Sequence, residues 1–320
     1  MRILFITGTR IGDAVLSTGL LGHLVERHRG ARFTIAAGPA AAPLFDAVPG
    51  LELLLTVEKR RFALHWLTLY GHVVARAWDL VVDLRGSALA FLLAARERRI
   101  IAKGEPHEHR VQQLARLFDL DPPPAPLLWT TPDHERRAAS LIPSGGPVVA
   151  IGPAANWGGK QWPAERFAAL AERLTGAGGT LPGARVAVFA AAHERVQAQP
   201  VLDALPPERR LDLVGRTDLL TAAAALRRAS LFIGNDTGIM HIAAAMGTPT
   251  LGLFGPSLEQ HYAPWGPRSA VVRTAKSFAE IVGAPDYDYR SSRTHMESLS
   301  VDAAEAAARR LWASIEGEAA

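Results

Sequence analysis

The chain has 320 residues, 48% of them hydrophobic and 21% charged, an ordinary globular composition at a length that suggests about two domains. A net charge of +4 suits an anionic partner, but no nucleic-acid-binding motif accompanies it, so no nucleic acid is expected as a partner. With no cysteine, a disulfide framework, a thiol nucleophile and a thiolate metal site are excluded, and the composition fits the cytoplasm without excluding the periplasm.

The N-terminus, MRILFITGTRIGD, holds a short apolar run that reads as a first strand rather than as a signal segment, and no run approaches the 18 or so apolar residues of a membrane span. Arg2–Ile6 is the first predicted strand. Gly8-Thr9-Arg10-Ile11-Gly12-Asp13 is a glycine-bounded turn into a helix over Ala14–Arg27. Strands follow at Phe33–Ala37, Leu51–Thr56, Leu80–Leu84 and Arg99–Ala102. Between them lie a short helix at Pro39–Ala47, a long one opened by Lys59-Arg60-Arg61 and running to Ala77, and a small-residue helix at Ser87–Ala95; a helix at Val111–Leu117 ends the series. Strands alternating with helices predict a parallel, Rossmann-like sheet.

The stretch Asp121-Pro122-Pro123-Pro124-Ala125-Pro126 is stiff and cannot continue a helix, so a hinge is placed within 122–147. Helix Asp133–Leu141 and the turn Ser144-Gly145-Gly146-Pro147 lead into a second series. Its strands are Val148–Ile151, Arg185–Phe189, Leu211–Val214, Leu231–Gly234 and Thr250–Phe254. Its helices are Pro163–Thr175, His193–Leu205, Leu219–Ala229 and one carrying Ile239, Ile242, Ala243 and Met246. Gly283–Met296 has no periodicity and reads as loop, and Val301–Ile315 is a last helix. The expected organisation is an N-terminal α/β domain over 1–130, a second over 147–300, and a C-terminal helix over 301–320 that is a candidate to pack back on the first domain.

Side chains that carry chemistry belong at the carboxyl ends of such strands, where ligands bind in open α/β sheets. Asp236, Thr237 and Gly238 sit where a strand hands over to a helix, whose free N–H groups favour an anion, and His241 lies about one turn further on. The plainer alternative is a turn with Asp236 or Thr237 as its N-cap. Lys160 lies in a glycine-containing stretch, Ile151 to Pro163, just ahead of a helix start. It is either a solvated surface lysine or a point charge for a diphosphate, with Asn156 as a further hydrogen-bond donor. Asp13 is a helix cap or a ligand-facing carboxylate; only Gly8 and Gly12 stand where a dinucleotide fingerprint needs three glycines, so NAD is poorly supported. Glu194, by position alone, is a first-turn glutamate favoured by the helix dipole. Lys59, Arg60 and Arg61, ahead of Phe62, Leu64, Trp66, Leu67, Leu69 and Tyr70, form a solvated charge run before a buried helix, or a basic aromatic surface for an anionic glycolipid, which His109 and Arg110 would join. Asp119-Leu120-Asp121 and Asp286-Tyr287-Asp288 are D-x-D triplets, one beside the proline stretch and one in an irregular segment, so no metal site is expected.

The string DTGIMHIAAAMGTPTLGLFGPS resembles the signature of glycosyltransferase family 9, the ADP-heptose:lipopolysaccharide heptosyltransferases, and Gly12-Asp13, Lys160-Gln161-Trp162-Pro163 and His193-Glu194 fall in the family's order. The resemblance covers most of the chain. It implies a GT-B architecture, two Rossmann-like domains facing across a cleft, and an inverting transferase with ADP-heptose as donor substrate and no separate cofactor. It further implies that Asp13 is the general base, that Lys160 and the Thr237–Gly238 helix start meet the donor phosphates, and that Asp236 and His241 hold the sugar and phosphates. Glu194 would reach the nucleoside and Thr217 the adenine pocket. Ala155-Asn156 departs from the family's threonine-rich lead-in, which leaves phosphate contacts there in doubt. The implied acceptor is the inner core of lipopolysaccharide, an anionic glycolipid met at the cytoplasmic face of the inner membrane. Rival readings are a family 9 enzyme using another nucleotide sugar, a non-catalytic sugar-nucleotide-binding protein in which Asp13 only caps a helix, and, more distantly, a NAD-dependent oxidoreductase.

Overall fold

The computed structural model describes residues 1–59, 61–290 and 292–319. They form two compact units, Met1–Thr131 and Pro132–Ala320. In the first, the elements are β1 (Arg2–Ile6), α1 (Ile11–Arg27), β2 (Arg32–Ala37), β3 (Leu51–Thr56), α2 (Leu64–Val73), β4 (Trp78–Asp83), α3 (Leu89–Leu92), β5 (Ala95–Ile100) and α4 (Arg110–Ala115). The sheet order is β3-β2-β1-β4-β5 with every pair parallel. Ile3, Leu4, Phe5 and Ile6 are all buried, as a central strand covered on both faces requires. The chain steps from β1 to one side and later returns to the other, so the carboxyl end of β1, where α1 starts, is the switch point of this sheet.

The second unit contains α5 (Pro132–Leu141), β6 (Val148–Gly152), α6 (Ala164–Thr175), β7 (Arg185–Val188), α7 (Arg195–Ala204), β8 (Arg210–Asp212), α8 (Leu219–Leu226), β9 (Leu231–Asn235), α9 (Gly238–Ala245), β10 (Thr250–Phe254), α10 (Glu259–Tyr262), β11 (Ser269–Arg273), α11 (Phe278–Val282) and α12 (Val301–Ala319). Its six strands run parallel in the order β11-β10-β9-β6-β7-β8. Because β6 lies beside β9, the loops leaving these two strands emerge side by side. Each carries part of the DTG and K-x-W-P signatures.

Several expectations change. The helix expected over Lys59–Ala77 is only Leu64–Val73, because Phe62 and Ala63 adopt left-handed backbone angles (φ 54° and 57°) that no helix can pass through, and the Trp78 indole donates to the Val73 carbonyl (3.1 Å) at the other end. The helix expected over Ser87–Ala95 is four residues long. Arg98 explains the early stop: its guanidinium donates to the carbonyls of Ala90, Leu93 and Ala95 and folds the chain straight into β5. β11, α10 and α11 had no clear sequence signal. The C-terminal helix belongs to the second unit. Ala304, Ala307, Ala308 and Leu311, at i, i+3, i+4 and i+7, lie in the core of the second unit, and α12 packs on α6, β10 and β11. Arg173 on α6 pairs with Asp302 and Glu305 along the same contact (2.5 and 3.1 Å).

Candidate functional site

The neighbouring ends of β6 and β9 build the site. Gly152 of β6, Gly234 of β9 and Gly252 of β10 stand side by side across the sheet. A Cβ on Gly152 or Gly234 would fall 2.8 or 2.7 Å from the Phe232 ring, so only glycine lets that ring lie flat across the strand ends. Directly after Gly234 comes Asn235, fully buried. Its Oδ1 accepts the Trp162 N–H (3.1 Å) and its Nδ2 donates to the Pro153 carbonyl (2.8 Å). Both partners belong to the loop that follows β6, so one side chain fastens both ends of residues 153–162 to β9. Further along that loop, Gln161 donates to the Ala155 carbonyl (3.0 Å) and Gln197 of α7 accepts the Ala155 N–H (3.0 Å).

The loop thereby delivers Lys160 to Asp236. The ammonium donates to Asp236 Oδ2 at 2.5 Å, and His241 Nε2 lies 3.9 Å from the other carboxylate oxygen. Asp236 is 7% exposed and the Lys160 side chain 25%, so the pair is largely withdrawn from water with one face open. Thr237 is the N-cap residue of α9 by position, yet its hydroxyl makes no capping bond; Oγ1 is buried without a partner among the described residues. The cluster therefore joins a cation, a carboxylate, an imidazole and a helix start with an unused hydroxyl. Such a set can hold an anionic ligand, since the lysine has three donors and Asp236 occupies one.

Glu194 ends a tight turn after β7, where its Oε2 accepts the Ala191 N–H (2.8 Å). Thr217 precedes Asp218, the N-cap of α8. The loops carrying these two residues touch, because Gly215 (φ 68°) comes so close to Ala192 that a Cβ there would lie 2.8 Å from its methyl. Asn156 is exposed. The structure thus gathers Lys160, Asp236, Thr237, Gly238 and His241 in one place and puts Glu194 and Thr217 together in a neighbouring pair of loops.

In the first unit, Asp13 is the third residue of α1 and not its cap; the N-cap position is Arg10. Gly8 makes room for it, since a Cβ on Gly8 would lie 2.7 Å from that of Asp13. The Asp13 carboxylate has no hydrogen-bonding or charged partner among the described residues. Lys59 is exposed, Arg61 lies over the Phe62 ring (5.5 Å), and Arg60 lies outside the described residues. His109 is a different case from an open acceptor surface. It is buried, and its Nδ1 accepts the Val111 N–H (3.2 Å) while Gln112 closes a capping box at the start of α4. Arg110 reaches Gln113 and the Leu84 carbonyl (2.5 and 3.4 Å). Sequence reasoning missed Asn235, whose signal was a polar residue ending an apolar strand. It also missed Gln161 and Gln197, which carried no signal of their own.

A sequence model of glycosyltransferase family 9 (heptosyltransferase) matches residues 71–284. The chain is similar to lipooligosaccharide heptosyltransferase 2 of Haemophilus influenzae, 25% identical over 311 residues that span 85% of this chain and 88% of that one. The solved structure of Escherichia coli ADP-heptose LPS heptosyltransferase II superposes with a TM-score of 0.75 at 20% identity, over 99% of this chain and 100% of the other. A more distant likeness, TM-score 0.56 at 15% identity over 99% of this chain and 79% of the other, is to the iron-containing dodecameric glycosyltransferase TibC of enterotoxigenic E. coli. Among the described residues of this chain no group of three His, Cys, Asp or Glu side chains is placed to hold a metal ion. The likeness to the solved structures shows the GT-B fold that the sequence resemblance implied.

If Asn235 fastens the Lys160 loop, Asn235→Ala leaves the Trp162 N–H and the Pro153 carbonyl without their buried partner. It should destabilise the protein by about 2–3 kcal/mol in urea denaturation. A loss under about 0.5 kcal/mol would mean that the loop is held elsewhere.

Proposed function

The chain belongs to glycosyltransferase family 9, the heptosyltransferases, and on that footing we propose that it transfers a heptose, with inversion, from ADP-heptose to the inner core of lipopolysaccharide. The observation that carries the proposal is the Lys160–Asp236–His241 cluster at the start of α9. The donor diphosphate takes the two remaining donors of Lys160 and the N-terminal amides of α9, with the Thr237 hydroxyl as a further contact. Asp236 and His241 face the sugar and the phosphate joined to it. Glu194 and Thr217 meet the nucleoside, and Asn156 adds a donor near the phosphates.

In the transfer, the acceptor hydroxyl attacks the anomeric carbon, the bond from that carbon to the phosphate oxygen breaks, and ADP departs with the electron pair. The hydroxyl proton passes to Asp13, whose carboxylate keeps its lone pairs free of other partners among the described residues. Lys160 and the α9 dipole offset the charge that builds on the departing diphosphate, so the reaction needs no metal ion.

A surface on the first unit supports a membrane-borne acceptor. Phe62, Leu67, Phe91 and Leu92 are 87%, 67%, 70% and 65% exposed. Leu69 and Val73 of α2 and Leu89 and Ala90 of α3 enter one core cluster, so the two segments lie on the same face of the sheet. With Lys59 and Arg61 beside them, they suit the interface of an anionic bilayer, where apolar side chains insert and cations meet headgroups. His109 has a capping role and is not part of this surface.

The test of function is a donor screen that follows release of ADP or UDP with and without acceptor glycolipid. Release is expected from ADP-heptose and only with acceptor. Asp13→Asn should keep donor affinity and lose about 10²–10⁴ in kcat, whereas Lys160→Ala should weaken donor binding roughly 10- to 100-fold. Preference for another nucleotide sugar would favour a different family 9 transferase; inactivity of the wild type with every pair would favour a binding protein.

Turnover should survive EDTA with most of its rate, and complete loss restored by a divalent cation would overturn the electrostatic account. In sedimentation with vesicles, Phe62→Ser/Leu67→Ser should lower partition onto phosphatidylglycerol-containing bilayers by roughly 10-fold. Equal, weak partition of both proteins would remove the bilayer from this surface.

A further inference from the structure

Residues 292–299 have no regular structure, yet they are stitched along the Lys160 loop. Ser292 lies against Gly158, where a Cβ would sit 2.2 Å from the Ser292 carbonyl oxygen, a closeness only glycine permits. The His295 N–H donates to the Gly159 carbonyl (3.0 Å), and the Thr294 hydroxyl donates to the Gln161 carbonyl (2.5 Å) while accepting the Met296 N–H (3.0 Å). Leu299 accepts from the Trp162 indole (2.9 Å). Above the loop, the rings of Trp157, Tyr287 and His295 pack together, with centroids 5.3–6.4 Å apart. The Trp157 ring folds so far over Gly159 that a Cβ there would lie 2.4 Å from it. Met296 anchors the segment; it is fully buried in the core of the second unit.

The two polar grips fall on the carbonyls immediately before and after Lys160. Their target benefits from holding, because two glycines, Gly158 and Gly159, precede Lys160 in a single short turn and glycine restricts the backbone least. Asn235 fixes the loop at Pro153 and Trp162; between these points the backbone at Lys160 is held by the short turn Gly158–Lys160, in which the Lys160 N–H donates to the Trp157 carbonyl (3.1 Å), while its ammonium meets Asp236. We propose that residues 292–296 are a strap that positions Lys160 for donor binding, gripping the Gly159 and Gln161 carbonyls on either side of it. Thr294 and His295 are then positioning residues that touch no substrate. The inference rests on the reading of Lys160 as a donor-diphosphate ligand.

The test is a double-mutant cycle read by ADP titration calorimetry on the full chain, with thermal unfolding followed in parallel. Thr294→Val keeps the shape and removes the hydroxyl; it should weaken ADP binding by roughly 10-fold, the cost of an unmade hydrogen bond. Thr294→Ser restores the hydroxyl and should bind within about 2-fold of wild type. In a Lys160→Ala background, Thr294→Val should change ADP affinity by less than about 2-fold, because the group it positions is gone. Gly158→Ala, which drives Ser292 off the loop, should reproduce the Thr294→Val loss and the same dependence on Lys160. An equal loss in both backgrounds, or a lowered unfolding temperature with wild-type ADP affinity, would make the segment ordinary packing and overturn the strap. If Lys160→Ala alone binds ADP like wild type, the fault lies with the donor-site reading, and the strap falls with it.

Discussion

The donor side of this protein depends on the two hydrogen bonds of Asn235. A fully buried amide must find partners for both its ends, and here both partners are backbone groups of the loop leaving the neighbouring strand. Strand order makes this possible: β6 is adjacent to β9 although about 80 residues separate them in sequence, so their carboxyl ends open on the same ground. Once the loop is tied at Pro153 and Trp162, Lys160 falls beside Asp236, and the cation is delivered by a strand other than the one that carries the carboxylate. The contact is thus a tertiary product of sheet topology, with the glycine row beneath it keeping the strand ends low enough for the Phe232 ring.

The first unit uses the same topological rule with a different outcome. Asp13 is placed at the switch point of its sheet, as Asp236 is placed beside the switch of the other, and both lie where a strand hands over to a helix. Yet Asp236 is met by a lysine at hydrogen-bond distance, and Asp13 by no charged group among the described residues. A carboxylate engaged by an ammonium has one oxygen already committed to that bond. One left open in a helix first turn retains its lone pairs. The two aspartates differ in neighbours, and that difference is the ground on which the proposed reading gives binding to one and the proton to the other.

Most of this fold was legible because its strands are short apolar runs bounded by glycine and proline, and its helices begin beside recognisable turns. That Lys160 and Asp236 stand at strand ends was legible from the strand-to-helix handovers around them; local spacing left the plainer turn and surface-lysine readings open, and it was the family resemblance that singled the residues out. What the sequence hid was set by distant contacts. Nothing near Phe62 announces two successive left-handed residues, nothing near Leu93 announces the Arg98 guanidinium that ends its helix, and the apolar spacing of residues 304–311 says that a face is buried without saying against what. His109 read as a basic surface group because its ring nitrogen has no sequence mark of a cap. Segment 283–296 read as plain loop because its bonds go to carbonyls and glycines some 130 residues earlier, where periodicity carries no information.

A preformed Lys160–Asp236 pair looks at first like an obstacle to binding an anion, since the charge offered to the ligand is already matched. The geometry argues otherwise. An unpaired lysine on a glycine-containing loop would spend its side-chain entropy on binding and would sample many positions before the ligand arrived. Asp236 holds it at one. The pair keeps one ammonium proton engaged, leaves two for phosphate oxygens, and retains a largely withdrawn setting in which each charge-assisted bond is stronger than in water. On the proposed reading, the local charge cost of adding a diphosphate next to a carboxylate falls on the α9 amides. On the proposed reading the carboxylate is the orienting group and the lysine the ligand, an arrangement that would meet a departing diphosphate with groups already in place.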